Sequence, residues 1–424
     1  MFPTEVSFFP LQCDSSVVAS SDNHPSEWFI AAVTVYVWCY PILWMLGLAG
    51  FWWFGTFALS ITFAAATKFK HFPITLLLVP ICILISIPIG ILNFGFSNDR
   101  ILSVVANCFV WFSVAALMAA TRMPSYSQRL DQGVMFITLV QGVFIILALV
   151  KPPLMASFPL LQQYAPYMPG SSGSFATNQL IYTDWLGQAT LRSQGIMGHA
   201  TWCGAIGVIG GLIALRCPLH AEDVHRITNW SVVFRILTIL ACGVSLYFSL
   251  SRWTIVSLLI GLVVAFSVQC IRRVPSILFF VLALVMLNLV LLLIHWDYFL
   301  ALLETLNNAR EGSYDSRSDI YDTTISLVAQ LGLPIIGYGI KPSVEGLVAN
   351  VATHSTYLGL LFRGGILATL FFVVFLAYTI RQNVKHWGII SITLWVFVAV
   401  WSVFEDFDPG HLVPLGLILC RPKD

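Results

Sequence analysis

Long apolar runs constrain this chain more than any other feature. A membrane-spanning helix needs about 20 mostly apolar residues, and eleven segments of the sequence meet or approach that length. These are residues 28–47, 48–66, 74–92, 101–121, 133–150, 199–215, 231–250, 253–270, 275–295, 356–380 and 387–404. Only 10% of the residues are charged, whereas soluble domains average about a quarter. The sequence therefore predicts an all-α, polytopic membrane protein, with residues 1–424 forming a single integral membrane domain.

The number of spans depends on the C-terminal residues. The apolar stretch 411–420 is short for a span, although Arg421 and Lys423 follow it and could anchor a tilted or incomplete helix. We therefore expect eleven or twelve transmembrane helices.

The basic residues predict the orientation of the chain. Connections after even-numbered spans are short and basic, and they contain Lys68, Lys70, Arg122, Arg129, Arg216, Arg226, Arg272, Arg273, Arg381 and Lys385. Connections after odd-numbered spans are longer and poorer in basic residues. The positive-inside rule places the basic connections in the cytoplasm, so the odd connections are expected at the outer face.

Two outer connections are long enough to carry function. Residues 151–198 are rich in Pro, Gly, Ser and Tyr, and residues 296–355 are longer and more polar. In the second, apolar positions recur on one helical face until Gly332 and Pro334 interrupt the pattern. This periodicity predicts an amphipathic helix over residues 315–331, lying at the outer membrane–water boundary.

Several basic residues in these outer connections need an explanation. Arg192 and His199 follow span five, Ser251 and Arg252 follow span seven, and Arg317 and His354 follow span nine. An arginine deep in a bilayer costs roughly 2.5–3.5 kcal/mol on insertion scales. Arg252 can snorkel to headgroups, or its planar fork can bind phosphate oxygens. Either reading fits the residues alone.

His354 and Arg363 flank the start of the tenth apolar run. If that helix began after Arg363, about 15 residues would rise only about 22 Å, short of the hydrocarbon core. The helix is therefore expected to begin near residues 354–358, with Arg363 a turn or two inside it. Gly364 and Gly365 would permit close approach of another backbone.

The order of these motifs resembles the bacterial O-antigen ligase and O-antigen polymerase family. The resemblance covers roughly residues 190–380. It is carried by Arg192-x-x-Gly195 before a small-residue helix, by Ser251-Arg252, and by the stretches "RSDIYDTTISLVAQLGLPIIGYG" and "HSTYLGLLFRGGILA". Many members carry an acidic residue where this chain has Arg363, so Arg363 is left outside the expected site.

The resemblance implies an active site and a location. It implies a membrane glycosyltransferase that moves a glycan from a polyprenyl diphosphate onto an acceptor hydroxyl, such as that of a lipid A–core. His354 would be the catalytic residue, which accepts the acceptor's proton or holds the hydroxyl in line. Arg252, Arg317 and Arg192 would bind the diphosphate. Tyr321, Tyr338 and Tyr357 would contact sugar or acceptor. No cofactor, metal or nucleic acid is expected. The protein would lie in the bacterial inner membrane, with its site facing the periplasm or the cell exterior.

Two alternatives remain open. A ligase and a polymerase need the same chemistry, and the start of the His354 helix favours the ligase only slightly. A transporter of lipid-linked glycans should show inverted repeats and broken helices in matching halves. No such repeat is visible, although Pro80 and Pro88 interrupt the third span.

Overall fold

A computed structural model describes the chain over residues 24–67, 72–120, 124–151, 158–167, 181–182, 192–216, 229–274, 311–347, 349–384, 388–407 and 411–419. Its α-helices are α1 His24–Trp38, α2 Tyr40–Leu46, α3 Trp52–Thr67, α4 Ile74–Phe94, α5 Asn98–Ala120, α6 Pro124–Val150, α7 Ala200–Arg216, α8 Asn229–Ser249, α9 Arg252–Arg273, α10 Glu311–Leu331, α11 Thr356–Asn383, α12 Ile389–Phe404 and α13 Leu415–Leu419. Short 3₁₀ turns lie at Ala49–Phe51, Gln162–Tyr167 and Gly195–Met197, and two-residue strands Ile181–Tyr182 and Arg192–Ser193 pair antiparallel.

The predicted all-α, polytopic fold is confirmed. Within the described ranges, seven helices are long and apolar enough to cross a membrane, or eight if the pair α1–α2 is one span bent by 46°. Two shorter apolar helices, α7 and α12, match the sixth and eleventh predicted spans. The ninth predicted span, residues 275–295, lies outside the described residues.

Helix α7 lies at the centre of the bundle, packed against α6, α8, α9 and α12. Its residues from Ala200 to Ala214 are buried, apart from the half-buried Trp202. A Cβ built on Gly210 would lie 2.0 Å from the Thr138 hydroxyl, and one on Gly207 would lie 2.7 Å from Ser245 Cβ. The glycines therefore allow close packing of α7 against its neighbours.

Residues 411–419 are not a transmembrane helix, because only Leu415–Leu419 is helical. This segment instead runs beside α7. The His411 ring packs at a tilt against Trp202 in the first turn of α7, and the Leu419 carbonyl accepts a hydrogen bond from Arg216 in its last turn. All nine residues are buried. Irregular backbone at membrane depth is tolerated where protein surrounds it, and that condition holds here.

Helix α11 begins at Thr356, within the predicted range 354–358, and Ser355 is its N-cap. It is broken at Gly365, where φ is 74° and ψ is −168°. Residues 333–341, here called the re-entrant segment, pack against the break. Their backbone bonds the helix groups that the break leaves unpaired. The bonds are Tyr338 N to Phe362 O (2.7 Å), Gly339 N to Arg363 O (2.8 Å), Ile366 N to Pro334 O (3.0 Å) and Leu367 N to Ile335 O (3.2 Å).

The re-entrant segment also contacts α4 on its other side. A Cβ on Gly90 would lie 2.1 Å from the Tyr338 carbonyl oxygen, and one on Gly339 would lie 2.6 Å from the Ser86 carbonyl oxygen. The segment is therefore held between two helices by contacts too close for any side chain. Leu333 and Ile335 are exposed, so its outward side is apolar, as a lipid-facing surface must be.

Gly365→Ala is expected to destabilise the protein, because a Cβ there would lie 2.4 Å from the Ile335 carbonyl oxygen at a positive φ. The left-handed conformation alone costs about 1–2 kcal/mol for a residue with a Cβ. Gly388→Ala is the matched control, since a Cβ there meets no atom within 4 Å. Thermal unfolding of both variants in nanodiscs, followed by tryptophan fluorescence, tests this. Equal melting temperatures would contradict the prediction.

Candidate active site

The candidate site lies at one end of the bundle, where α7, α9 and α11 begin and α8 and α12 end. We call this the site end. Trp253 at the start of α9 stacks on Phe404 at the end of α12, with ring centroids 3.8 Å apart. The Thr254 hydroxyl bonds the Thr201 carbonyl at the start of α7 (3.4 Å). The segments that meet here are those whose connections the sequence predicts at the outer face.

His354 has a left-handed backbone, with φ at 62°. Such a conformation is uncommon for a non-glycine residue and costs about 1–3 kcal/mol unless its surroundings hold it. Helix α10 supplies that support. The Tyr321 hydroxyl donates to the His354 carbonyl (2.6 Å), and Ala352, itself at φ 57°, donates its N–H to the Thr324 hydroxyl (2.8 Å).

Glu405 joins His354 to Arg317. Arg317 Nη2 lies 2.6 Å from one carboxylate oxygen of Glu405, and His354 Nδ1 lies 3.5 Å from the other. Arg317 Nη1 also donates to the Phe404 carbonyl (2.9 Å). Burial alone would raise the pKa of the Glu405 carboxyl, but Arg317 and His354 hold that pKa well below its usual range. Glu405 is therefore an anion at neutral pH.

The ionised Glu405 fixes the His354 ring. A carboxylate only accepts hydrogen bonds, so Nδ1 of a neutral His354 carries the proton and Nε2 carries the lone pair. The His354 side chain is 27% exposed, which leaves the ring accessible. A ring oriented by a carboxylate, with its other nitrogen unprotonated, has the arrangement of a general base.

Asp406, the residue after Glu405, forms a second charged cluster with Lys341 and Arg363. Lys341 Nζ donates to the Asp406 carboxylate and to the Ala352 carbonyl (2.7 Å), while Arg363 Nη1 lies 3.9 Å from the same carboxylate. All three side chains are less than 10% exposed. Arg363 thus pairs with Asp406, whereas His354 pairs with Glu405.

The two remaining predicted arginines lie on segments of the site end. Arg192 Nε donates to the Ser249 carbonyl at the end of α8 (3.0 Å), which ties the segment before α7 to the α8–α9 turn. Arg252 is exposed in the first turn of α9, and Ser251 is the N-cap of that helix. The structure thus brings Arg317 and His354 together through Glu405 and places Arg192 and Arg252 at the α8–α9 turn.

The three predicted tyrosines occupy different environments. Tyr321 supports the His354 backbone, and burial raises its pKa to about 12. Tyr357 donates to the Ala399 carbonyl (3.2 Å) within the bundle. Tyr338 is 5% exposed, and its hydroxyl donates to the Gly332 carbonyl. These contacts are internal, so sugar binding by the tyrosines stays a prediction, and the packing of Tyr338 does not favour it.

Glu405 and Asp406 were missed in the sequence. They follow the eleventh apolar run in the stretch "EDFDPG", and acidic residues at a helix end are ordinarily solvated. The sequence did contain one signal for them. Their connection follows an odd-numbered span, so it is predicted at the same outer face as Arg252, Arg317 and His354. Asp406-Phe407-Asp408 is also an Asp-x-Asp pattern, although Asp408 lies outside the described residues. Over the residues described, no group of three or more His, Cys, Asp or Glu side chains could hold a metal.

Residues 237–373 match the family model described as O-Antigen ligase. This stretch of the chain is similar to the O-antigen ligase family. The matched stretch contains Arg252, Arg317 and His354, whereas Arg192, Glu405 and Asp406 lie beyond it. No curated protein and no solved structure matches the chain. The resemblance seen in the sequence is thus confirmed over residues 237–373, where the chain is O-antigen ligase-like.

Removing the Glu405 charge is expected to destabilise the protein. Glu405→Leu leaves the Arg317 guanidinium, 14% exposed, without its carboxylate, and breaking a buried ion pair costs about 3–5 kcal/mol. Arg317→Met/Glu405→Leu, which removes both charges, should recover much of the loss. Thermal unfolding in nanodiscs measures both effects.

The matched control is Glu345→Leu, because Glu345 is exposed. A Glu405→Leu variant that melts with the control and the unaltered protein would show that the ion pair contributes nothing to stability.

Proposed function

We propose that the protein transfers a glycan from a polyprenyl-diphosphate carrier to an acceptor hydroxyl. The observation that carries the proposal is the His354–Glu405–Arg317 arrangement at the site end, within and beside the stretch that matches the O-antigen ligase family. It provides a carboxylate-oriented base in a site that also contains fixed cations. The proposed site faces the periplasm or cell exterior, in keeping with the predicted orientation of the odd connections.

The proposed reaction is a displacement at the anomeric carbon of the donor. The acceptor oxygen forms the new bond to that carbon as its proton passes to His354 Nε2. The bond between the anomeric carbon and the diphosphate oxygen breaks, and the electron pair leaves with the polyprenyl diphosphate. Glu405 stabilises the imidazolium that forms, because it already accepts from Nδ1.

The arginines divide the remaining work in this proposal. Negative charge grows on the leaving diphosphate, and preorganised cations stabilise such charge in a site of low dielectric constant. Arg252, exposed at the α9 start, and Arg192 would contact the diphosphate. Arg317 already donates to Glu405 and Phe404, so it would contribute charge and hold Glu405 in place. Three guanidinium groups and one carboxylate leave the site positively charged.

A ligase and a polymerase share this chemistry and differ only in the acceptor that receives the glycan. We infer a ligase, which passes the glycan to a lipid A–core, from the resemblance of the His354 helix start to that branch. Purified protein in nanodiscs, given a polyprenyl-diphosphate oligosaccharide with and without lipid A–core, separates them. Product only with lipid A–core supports the ligase, whereas longer lipid-linked glycans without it support a polymerase. Movement of lipid-linked glycan without turnover would support a transporter.

Replacing His354 is expected to reduce transfer at least 100-fold, since a general base typically contributes 10²–10⁴ in rate. Both His354→Ala and His354→Asn are made. The Asn variant is the more informative one, because asparagine tolerates the positive φ of this position. The yield and melting temperature of the Asn variant serve as the folding control. Normal product from a folded His354→Asn protein would remove His354 from the mechanism.

Arg252→Lys should impair transfer strongly, because a point charge replaces a planar fork that suits phosphate oxygens. Arg273→Lys at the opposite end of α9 is the matched control, since Arg273 is also exposed and lies at the other end of the bundle. Initial rates at several donor concentrations give the comparison. An unimpaired Arg252→Lys enzyme would favour the reading in which Arg252 only snorkels to headgroups.

Transfer is expected to continue after EDTA treatment, because the proposed charge stabilisation comes from guanidinium groups. Turnover that EDTA abolishes and magnesium restores would instead show that a metal ion stabilises the diphosphate. The Asp406-Phe407-Asp408 pattern would then be the first candidate for its ligands.

A further inference from the structure

A second histidine faces the same site but has no place in the proposed displacement. His199 immediately precedes α7, and its carbonyl accepts the first helical hydrogen bond from Cys203 N (2.9 Å). Its backbone is therefore fixed at the start of the most buried helix of the bundle. The side chain itself is only half-buried.

The His199 ring is held on two sides. Its Nδ1 lies 2.5 Å from the Thr201 hydroxyl, and its centroid lies 5.2 Å from that of Trp202. Thr201 is buried, and its carbonyl accepts a hydrogen bond from the Thr254 hydroxyl, so its backbone is held in place. When the Thr201 hydroxyl donates to Nδ1, the proton of the neutral ring is on Nε2. Among the residues described, Nε2 has no hydrogen-bond partner.

The ring belongs to the same assembly of residues as Glu405 and His354. His199 packs against Trp202, and Trp202 in turn contacts His411, with ring centroids 4.4 Å apart and the rings tilted by 39°. His411 Nδ1 accepts from Val413 N (3.2 Å), so its Nε2 donates to the Asp406 carbonyl (3.1 Å). Asp406 follows Glu405, which contacts His354 (3.5 Å). A continuous set of contacts therefore connects the two histidines around the site.

We propose that His199 is a specificity-determining residue whose Nε2–H donates a hydrogen bond to a sugar hydroxyl of the donor or the acceptor. The inference rests on the proposed function, because it names a substrate contact within that same site. A half-buried, rigidly held donor without a partner is the group that a polar ligand would satisfy. Sugar hydroxyls are the hydrogen-bond acceptors that a glycan presents at every position.

The electrostatics agree with a neutral donor. Burial lowers the pKa of His199 to about 4; Glu405 opposes this change, whereas Arg192, His354 and Arg317 reinforce it. The ring is thus uncharged at neutral pH and is not a competing cation for the diphosphate. His354 has a carboxylate beside Nδ1, whereas His199 has a hydroxyl there. Because their partners differ, the two rings have different roles: His354 acts as the base and His199 as the hydrogen-bond donor.

The test compares two replacements of His199 with different hydrogen-bonding capacity. His199→Phe keeps an aromatic ring against Trp202 but removes the donor, and it should lower kcat/KM about three- to tenfold. His199→Gln keeps an N–H donor and should remain within about threefold of the unaltered protein. Equal loss in both variants, or no loss in His199→Phe, would overturn the proposal. Unchanged melting temperatures confirm that both variants are folded.

Monodeoxy sugars identify the partner hydroxyl and separate its two possible sources. One series of analogues lacks single hydroxyls in the donor sugar, and a second lacks them in the acceptor sugar. At the hydroxyl that His199 binds, the unaltered protein should lose about three- to tenfold in kcat/KM, and His199→Phe should show no further loss. A merely structural His199 would give additive losses in every analogue, which would overturn the inference.

Failure of the proposed function gives a different result. If the unaltered protein forms no product with any lipid-linked glycan, the glycosyl-transfer proposal itself fails. If it turns over normally while His199→Phe matches it on every substrate, only the His199 inference fails.

Discussion

The geometry of the site depends on keeping one buried carboxylate ionised. An unpaired buried carboxylate is expensive, and Glu405 avoids this because Arg317 from α10 and His354 from the start of α11 both contact it. Its carbonyl meanwhile accepts from the backbone and hydroxyl of Thr356 (3.0 and 2.8 Å). A single residue at the end of α12 therefore fixes two elements remote in sequence. The His354 ring is oriented as a consequence.

The neighbouring Asp406 extends this arrangement into the bundle. Lys341 belongs to the re-entrant segment, and Arg363 belongs to α11 just before the break at Gly365. The broken helix, the re-entrant segment and the 405–406 turn are thus joined by charges as well as by backbone hydrogen bonds. Backbone groups freed by a broken membrane helix need partners, and here the same segment that supplies them also supplies Lys341.

The sequence predicted the helices well because their signal is local. An apolar run of about 20 residues is a span in any surroundings, and Ser355 and Gly365 act through the backbone at their own positions. Residues 411–419 carried a weaker signal, since their burial beside α7 depends on the fold. Glu405 illustrates the same limit within the site. Its carboxylate has functional meaning only because Arg317, 88 positions earlier in the chain, contacts it.

The same reasoning explains why residue type alone does not distinguish the three predicted arginines from one another. Arg192, Arg252 and Arg317 all lie on outer connections, and each has a fork that suits phosphate. In the structure, Arg317 already donates to a carboxylate and a carbonyl, whereas Arg252 is exposed at a helix start. A guanidinium so engaged holds the site together, whereas the exposed Arg252 is the one that the proposed mechanism assigns to the diphosphate. The partners that each arginine acquires on folding, and not its chemistry, therefore distinguish a support of the site from a substrate contact.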